Sequence, residues 1–229
     1  IIILFYIIII HLIKGGFMNN KEQILAFAKE RGIEHFIHFT NVLNLPSILS
    51  QGLLPRSTLD YNLCDYIHND DLRLDGLEES ISVSITSPNY KMFYKLRCDN
   101  PSQNWVVLVL DATQILNLDC AFCYTNAAHS SVSSISLSER RKYSTFKTLF
   151  NERQDKPSRS EMGLCSYEPT DPQAEILVFN SIPISAIEFV FFNDGNIMEQ
   201  YAPLLNNANI AFKREEGYYY PRHDFRFWQ

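Results

Sequence analysis

Residues 173–179, QAEILVF, are the stretch of sequence that most clearly indicates the fold of this protein. The apolar run from Ile176 to Phe179 is typical of a strand buried inside a sheet. Glu175 comes directly before it, and a buried carboxylate is costly unless it has a partner or a chemical role. The stretch therefore predicts a core strand with a candidate functional carboxylate at its start. An edge-strand or outward-facing glutamate is the alternative interpretation.

Further short apolar runs predict more strands than helices. Strands are predicted at residues 34–39, 81–86, 105–110, 121–125, 186–192 and 210–213. Helices are predicted at residues 20–31, 41–51, 138–150 and 196–206, with a helical turn at 88–94. Many short strands without a regular alternation of strand and helix indicate an α+β fold with a mixed or antiparallel sheet. Neither a G-x-G-x-x-G motif nor a P-loop occurs, so a Rossmann or Walker nucleotide site is not supported.

The composition indicates one globular, acidic domain. The chain has 229 residues, of which 46% are apolar and 20% charged, and its formal net charge is −6. Such a chain does not coat nucleic acid by bulk electrostatics, so any nucleic-acid contact needs a local basic patch. Residues 139–159 supply a candidate patch. Its predicted nucleic-acid-binding residues are Arg140, Arg141, Lys142, Lys147, Arg153, Lys156 and Arg159. A solvated helix face is the alternative.

The first 17 residues differ from the rest of the chain. Residues 1–13 read IIILFYIIIIHLI, which is shorter than the roughly 20 apolar residues of a membrane-spanning helix. A secretory signal carries positive charge before its apolar run, whereas Lys14 follows this one. The codons for Lys14-Gly15-Gly16 can form a ribosome-binding sequence just upstream of Met18. We therefore expect residues 1–17 to be a misassigned upstream segment and residues 18–229 to form a single domain; a membrane-associated segment and a signal peptide are the alternatives.

The cysteines indicate a reducing compartment. Five are present, at positions 64, 98, 120, 123 and 165, and an odd number without a signal peptide favours free thiols in the cytoplasm. Cys120-x-x-Cys123 could be half of a zinc site or a redox pair. A structural zinc site needs four ligands and no second such pair occurs, so we expect no metal.

Polar residues beside the predicted strands form an ordered series along the chain. The series is His38-Phe39-Thr40, Asn44–Leu49 with Gly52-Leu53, Asn69 with Arg73, Ser84–Tyr94, Cys123–Ala128 and Gln173-Ala174-Glu175, followed by Gly217-Tyr218-Tyr219. With this series the chain resembles, over about residues 35–220, the DarT family of DNA ADP-ribosyltransferase toxins from bacterial toxin–antitoxin systems. It departs from the thymidine-modifying members at residues 85–92, which read ITSPNYKM, where those members have a more aromatic strand followed by Pro and Ser-Pro-Met. The target base is therefore left open between thymine and guanine.

The resemblance implies an ADP-ribosyltransferase-like fold, with a split mixed or antiparallel sheet and flanking helices. It implies an NAD-dependent mono-ADP-ribosyltransferase that uses NAD+ as its substrate and modifies a base of single-stranded DNA, which blocks replication. The implied catalytic residues are Glu175 and Arg73, and the implied NAD+-binding residues are His38, Thr40, Asn44, Arg73 and Tyr94. A macrodomain antitoxin that removes the ADP-ribose is the implied partner, and no membrane is involved. An ADP-ribosyltransferase acting on RNA or protein, and a non-catalytic module that binds nucleotide or single-stranded nucleic acid, are the alternatives.

Overall fold

A computed structural model describes residues 18–61, 66–67 and 76–229, where seven strands form one mixed sheet. The strands are β1 His35–Asn41, β2 Ile81–Ile85, β3 Trp105–Asp111, β4 Cys120–Cys123, β5 Glu175–Val178, β6 Ile187–Phe192 and β7 Ala211–Arg214. Their spatial order is β4-β5-β2-β1-β3-β6-β7. Neighbouring strands are antiparallel, except for the parallel pair β6 and β7. The predicted α+β class and each predicted strand are confirmed.

The helices are short and lie on both sides of the sheet. They are α1 Asn20–Arg31, α2 Leu45–Gln51, α3 Arg56–Tyr61, α4 Tyr90–Asp99, α5 Ala112–Leu116, α6 Ser130–Ser133, α7 Leu137–Arg140, α8 Tyr143–Thr148 and α9 Gly195–Asn207. The single helix predicted over residues 138–150 is wrong. Lys142 is extended, with φ −84° and ψ 149°, and separates α7 from α8. Pro46 is tolerated because it lies in the first turn of α2, where its missing N–H needs no partner.

The alternation of side chains along each strand divides the core between two faces of the sheet. On the first face, Phe36 and Leu108 pack in a cluster that α1, α2, α5, α8 and α9 cover. On the second face, Ile37 and Val107 pack against Phe93 of α4. Neighbouring residues of a strand point to opposite faces of the sheet. Ile176 belongs to the first-face cluster, so the side chain of Glu175 starts from the second face. The carboxylate and α4 therefore lie on the same face.

The sheet is split between β1 and β2. β1 pairs with β3 along all of His35–Asn41, but it pairs with β2 only through Phe36 with Ile85 and Ile37 with Ser84. Past these two pairs the strands diverge, and the space between 38–40 and 80–83 is not closed by a ladder. This divergence creates the cavity described below.

Candidate active site

A cavity of about 210 Å³ lies in the gap between β1 and β2. It brings together four of the predicted site residues, which are distant in sequence: His38, Thr40, Asn44 and Glu175. Its opposite walls come from α2 and α3 on one side, and from the start of α4 and the loop at 126–128 on the other. The gap in the sheet thus brings polar side chains close together that are up to about 140 positions apart in the sequence, from His38 to Glu175.

The Glu175 carboxylate accepts hydrogen bonds from Ser82 and Ala127 at the second-face side of this cavity. It is the first residue of β5, opposite Ser84 on β2 and Cys123 on β4. Its Oε1 accepts a hydrogen bond of 2.5 Å from the backbone N–H of Ala127, and its Oε2 accepts one from the hydroxyl of Ser82. Hydrogen bonds to both oxygens fix the orientation of the carboxylate.

His38 is linked to the same serine through the backbone. Its Nδ1 lies 3.0 Å from the carbonyl oxygen of Ser82. Because a carbonyl oxygen can only accept, Nδ1 carries the proton and Nε2 is left as an acceptor. Burial lowers the pKa of His38 below its ordinary value, although the bond to Ser82 opposes this change. A neutral imidazole that can accept a hydrogen bond in the cavity is therefore the expected state at pH 7.

Asn44 and Thr40 hold part of the cavity wall in place. The Asn44 amide donates to the Thr40 hydroxyl at 3.0 Å and to the carbonyl oxygen of Ile67 at 2.8 Å. Its Oδ1 accepts from the backbone N–H of Ile67 at 2.9 Å. Both amide hydrogens are thus used within the protein, and only the oxygen keeps spare capacity. Asn44 is placed to shape the cavity more than to donate to a ligand.

Two lining residues were not predicted from the sequence. Ser82 contacts both His38 and Glu175, but a serine in an apolar strand carries no distinctive pattern. Arg56, at the start of α3, lines the cavity and lies 3.6 Å from Asp60, which also accepts a hydrogen bond from Tyr66 at 2.7 Å. Among the described lining residues Arg56 supplies the fixed positive charge. No spacing or motif distinguishes it from a surface arginine.

Tyr94 does not line this cavity, although it is predicted to bind NAD+. Met92, two residues earlier on α4, lines the cavity, and Phe93 is buried in the second-face core. Successive helical residues turn by about 100°, so Tyr94 lies about 200° from Met92. Its side chain is 60% exposed. Tyr94 is close to the cavity in sequence, but its side chain points away from the cavity-lining face of α4.

Arg73 is the second predicted catalytic residue. It belongs to residues 68–75, which are outside the described part of the chain. The same is true of Asn69, which belongs to the series that carries the resemblance. The role predicted for Arg73 therefore stays a prediction.

The predicted basic patch is not one surface. Arg140 is 5% exposed, with its Nη1 3.8 Å from the Cys123 sulfur, so it lies in the core and the DNA contact assigned to it stays a prediction. Arg141 makes a bidentate ion pair with Asp119, at 2.8 Å for both bonds. Lys142 and Lys147 stay exposed, with Lys142 2.5 Å from Glu139.

The remaining three residues of the patch make intramolecular contacts further along the chain. Arg153 pairs with Asp171 at 2.9 Å, and Lys156 donates to the carbonyl oxygen of Phe227 at 2.9 Å. Arg159 donates to the Thr170 hydroxyl at 2.8 Å and to two backbone carbonyls. The seven cations are distributed over α7, the turn between α7 and α8, α8 itself and the segment after it, and most of them make contacts within the protein.

A family model described as "ssDNA thymidine ADP-ribosyltransferase, DarT" matches residues 37–220. The chain belongs to the DarT family. The matched range includes the whole lining of the cavity and Glu175, and excludes α1 and residues 221–229. The family predicted from the sequence is confirmed, and its enzyme class is that of an NAD+-dependent ADP-ribosyltransferase acting on single-stranded DNA. No protein with a curated description matches the chain.

Solved DarT structures have a similar fold. Thermosipho africanus DarTG in complex with ADP-ribose has a TM-score of 0.57 and 18% identity, over 81% of this chain and 51% of that one. Thermus sp. 2.9 DarT in complex with ADP-ribosylated ssDNA has a TM-score of 0.55 and 15% identity, over 82% and 97%. The same protein in complex with NAD+ has a TM-score of 0.52. This chain therefore spans about half of the Thermosipho DarTG chain and nearly all of the Thermus DarT chain, and the predicted ADP-ribosyltransferase-like fold is confirmed.

The cysteine pair of this DarT family member lies in the core. Cys120 and Cys123 are buried thiols at the two ends of β4, and burial raises the pKa of Cys120 to about 12. A thiol with so high a pKa is a poor nucleophile and a poor metal ligand at neutral pH. Across the described residues, no three His, Cys, Asp or Glu side chains are grouped as metal ligands. Within the same residues, no helix has the length and apolar character needed to cross a bilayer.

Ser82→Ala is expected to lower kcat for ADP-ribosyl transfer by about ten- to a hundredfold, because a misplaced catalytic group costs that much. The change removes a donor that orients the Glu175 carboxylate, while the Ala127 N–H remains. KM for NAD+ should change less than kcat. Ser82→Thr, which keeps the hydroxyl, is the matched control and should retain most of the activity. Equal losses in both variants would show that the strand tolerates no substitution here and would contradict an orienting role.

Proposed function

We propose that this protein is a toxin that transfers ADP-ribose from NAD+ to a base of single-stranded DNA. The observation that carries the proposal is the Glu175 carboxylate, oriented by Ser82 and Ala127 in a cavity at the split of the sheet, in a chain of the DarT family. The similar Thermus DarT was solved with NAD+ and with ADP-ribosylated ssDNA, which supports both substrates.

The chemistry requires a carboxylate of this kind. When the bond between nicotinamide and ribose breaks, nicotinamide leaves with the electron pair and positive charge develops on the ribose, as in glycoside chemistry. An ionised Glu175 stabilises that charge and can accept a hydrogen bond from a ribose hydroxyl. A base nitrogen then supplies the electron pair of the new bond to the ribose carbon and loses its proton to solvent water.

The other cavity residues suit the binding of NAD+. The neutral His38 offers an acceptor for a ribose hydroxyl or the nicotinamide amide, and Thr40 offers a hydroxyl beside it. Arg56 supplies a cation for the pyrophosphate on the α3 side of the cavity. For Arg73 we propose an electrostatic clamp that eases loss of the base proton, because a guanidinium stays charged at any ordinary pH and is a poor base.

The acceptor base has to be unpaired, because pairing covers its nucleophilic edge in a duplex. We propose a thymine or a guanine. The matching family model is described for thymidine, whereas residues 85–92 depart from the thymidine-modifying pattern.

We further propose a macrodomain antitoxin of the DarG type as the partner that removes the modification. The similarity to Thermosipho DarTG, solved with ADP-ribose, supports this pairing. A cytoplasmic location agrees with the reduced cysteines at positions 98, 120, 123 and 165.

Incubation with NAD+ labelled in its ADP-ribose part tests the proposal. Label is expected on single-stranded oligonucleotides and much less on the same sequences as duplexes. A panel that contains only thymine or only guanine as the reactive base identifies the target, and a macrodomain hydrolase should release the label. RNA and protein arms report the alternative acceptors. Absence of label on DNA, or equal labelling by a Glu175→Gln variant, would contradict the proposal.

A further inference from the structure

The second face of the sheet offers an approach to Glu175 beside helix α4. The carboxylate starts from that face, where α4 packs through Phe93. Helix α4 borders the cavity directly, because Asn89 and Met92 line it and the backbone N–H of Asn89 donates to the Ser84 hydroxyl, opposite Glu175. Helix α4 therefore borders the cavity on the face from which the Glu175 carboxylate starts.

The outer face of α4 carries two lysines with an aromatic ring between them. Lys91, Tyr94 and Lys95 are spaced at i, i+3 and i+4, which places them side by side on a helix. Tyr94 is 60% exposed, and the side chain of Lys95 is 77% exposed. Phe93, by contrast, is buried, and Arg97 is directed inward to the carbonyl oxygen of Tyr219. The exposed face of α4 is therefore basic and aromatic, whereas the packed face carries Phe93 and the inward-directed Arg97.

The two lysines are available to an anionic ligand. No ion-pair partner of Lys91 lies among the described residues. Lys95 is 2.5 Å from Asp99, but both groups are exposed, and such a surface pair is worth little. In the predicted basic patch, by comparison, Arg141, Arg153 and Arg159 are held by partners within the protein.

We propose that Lys91, Tyr94 and Lys95, here called the α4 rim, bind the single-stranded DNA next to the base that enters the cavity. The inference rests on the proposed function and assigns its acceptor-binding surface. The lysines pair with successive phosphates, and the exposed ring of Tyr94 stacks on a base. Single strands combine accessible bases with a charged backbone, and alternation of cation and aromatic ring matches that combination. A duplex would present phosphates to the lysines but no free base to Tyr94.

Fluorescence anisotropy with a labelled single-stranded oligonucleotide tests the α4 rim without requiring catalysis. The variant Lys91→Ala/Tyr94→Ala/Lys95→Ala is expected to bind at least about tenfold more weakly, given what stacking on one aromatic ring contributes. Loss of two phosphate contacts should reduce the slope of log K against log salt by about 1.4. Tyr94→Phe keeps the stacking surface and should bind like the wild type. NAD+ hydrolysis without DNA should be unchanged in all three proteins.

The matched control is Lys142→Ala/Lys147→Ala, which removes the two exposed lysines of the predicted basic patch. Full oligonucleotide affinity in the α4-rim variant, or equal losses in that variant and the control, would overturn the inference. If the wild-type protein modifies DNA and the α4-rim variant binds the oligonucleotide as tightly, the inference about the α4 rim is overturned and the proposed function stands. A wild-type protein that binds the oligonucleotide through the α4 rim but transfers no label would overturn only the proposed function.

Discussion

Glu175→Gln is expected to reduce ADP-ribosyl transfer to DNA by about a hundred- to a thousandfold, as the loss of one preorganised electrostatic group does in other enzymes. Glutamine has nearly the same shape and keeps an oxygen that can accept from Ala127, but it lacks the charge that stabilises the developing positive ribose. The loss should therefore appear in kcat, with KM for NAD+ nearly unchanged. Initial rates over a range of NAD+ concentrations, with a fixed oligonucleotide, measure both constants.

Glu199→Gln is the matched control, because Glu199 is exposed on α9 on the first face of the sheet. It should retain wild-type activity, and both variants should keep the wild-type thermal midpoint. A Glu175→Gln protein that transfers ADP-ribose at the wild-type rate would show that the carboxylate is a structural group. It would also favour the alternative hypothesis that this protein is a non-catalytic module that binds nucleotide or single-stranded nucleic acid.

Arg222→Ala is expected to lower the free energy of unfolding by about 3–5 kcal/mol, the usual cost of breaking a buried ion pair by removing one partner. Arg222 and Asp224 are 6% and 1% exposed, and their Nε and Oδ1 atoms are 2.6 Å apart. Burial alone would raise the pKa of Asp224, but the hydrogen bonds and charge of Arg222 outweigh it and hold that pKa below its ordinary value. Without the guanidinium, Asp224 would be a buried charge whose remaining side-chain donor, among the described residues, is Trp228 Nε1 at 2.8 Å.

The same arginine connects the C-terminal segment to the approach to β5. Its guanidinium donates to the carbonyl oxygens of Pro169 and Thr170, at 2.7 and 2.9 Å. Urea unfolding of Arg222→Ala and of Arg226→Ala measures the effect. Arg226 is exposed and contacts the Phe227 ring, so its replacement should stay within about 0.5 kcal/mol of the wild type. Similar midpoints for Arg222→Ala and the wild type would contradict a clamp at this position.

The strands of this protein could be predicted because they are continuous apolar runs. β3 and β5 are buried on both faces, and an apolar run bounded by polar residues indicates such a strand without knowledge of its neighbours. The polar series that ends at Glu175 also carried the resemblance to DarT. The break between α7 and α8 was missed because both pieces have helix-forming sequences, and the extended Lys142 between them carries no signal.

The direction of individual side chains was predicted less well. Tyr94 follows a sequence pattern that places it near the cofactor, yet the turn of α4 sends it outward. Arg140 belongs to a basic run, yet it is buried near Cys123. In both cases the sequence specifies the element, and the rotation of that element about its axis decides what the side chain contacts.

The sequence by itself determined the α+β class, the order of the strands along the chain and the membership of the DarT family. Only the tertiary structure decided which polar groups share a cavity. Ser82 and Arg56 line it because β1 and β2 diverge after two residue pairs, and because the register of β5 sets Glu175 opposite Ser84. Strand divergence and register depend on packing between segments far apart in the chain, and local residue patterns do not encode such distances.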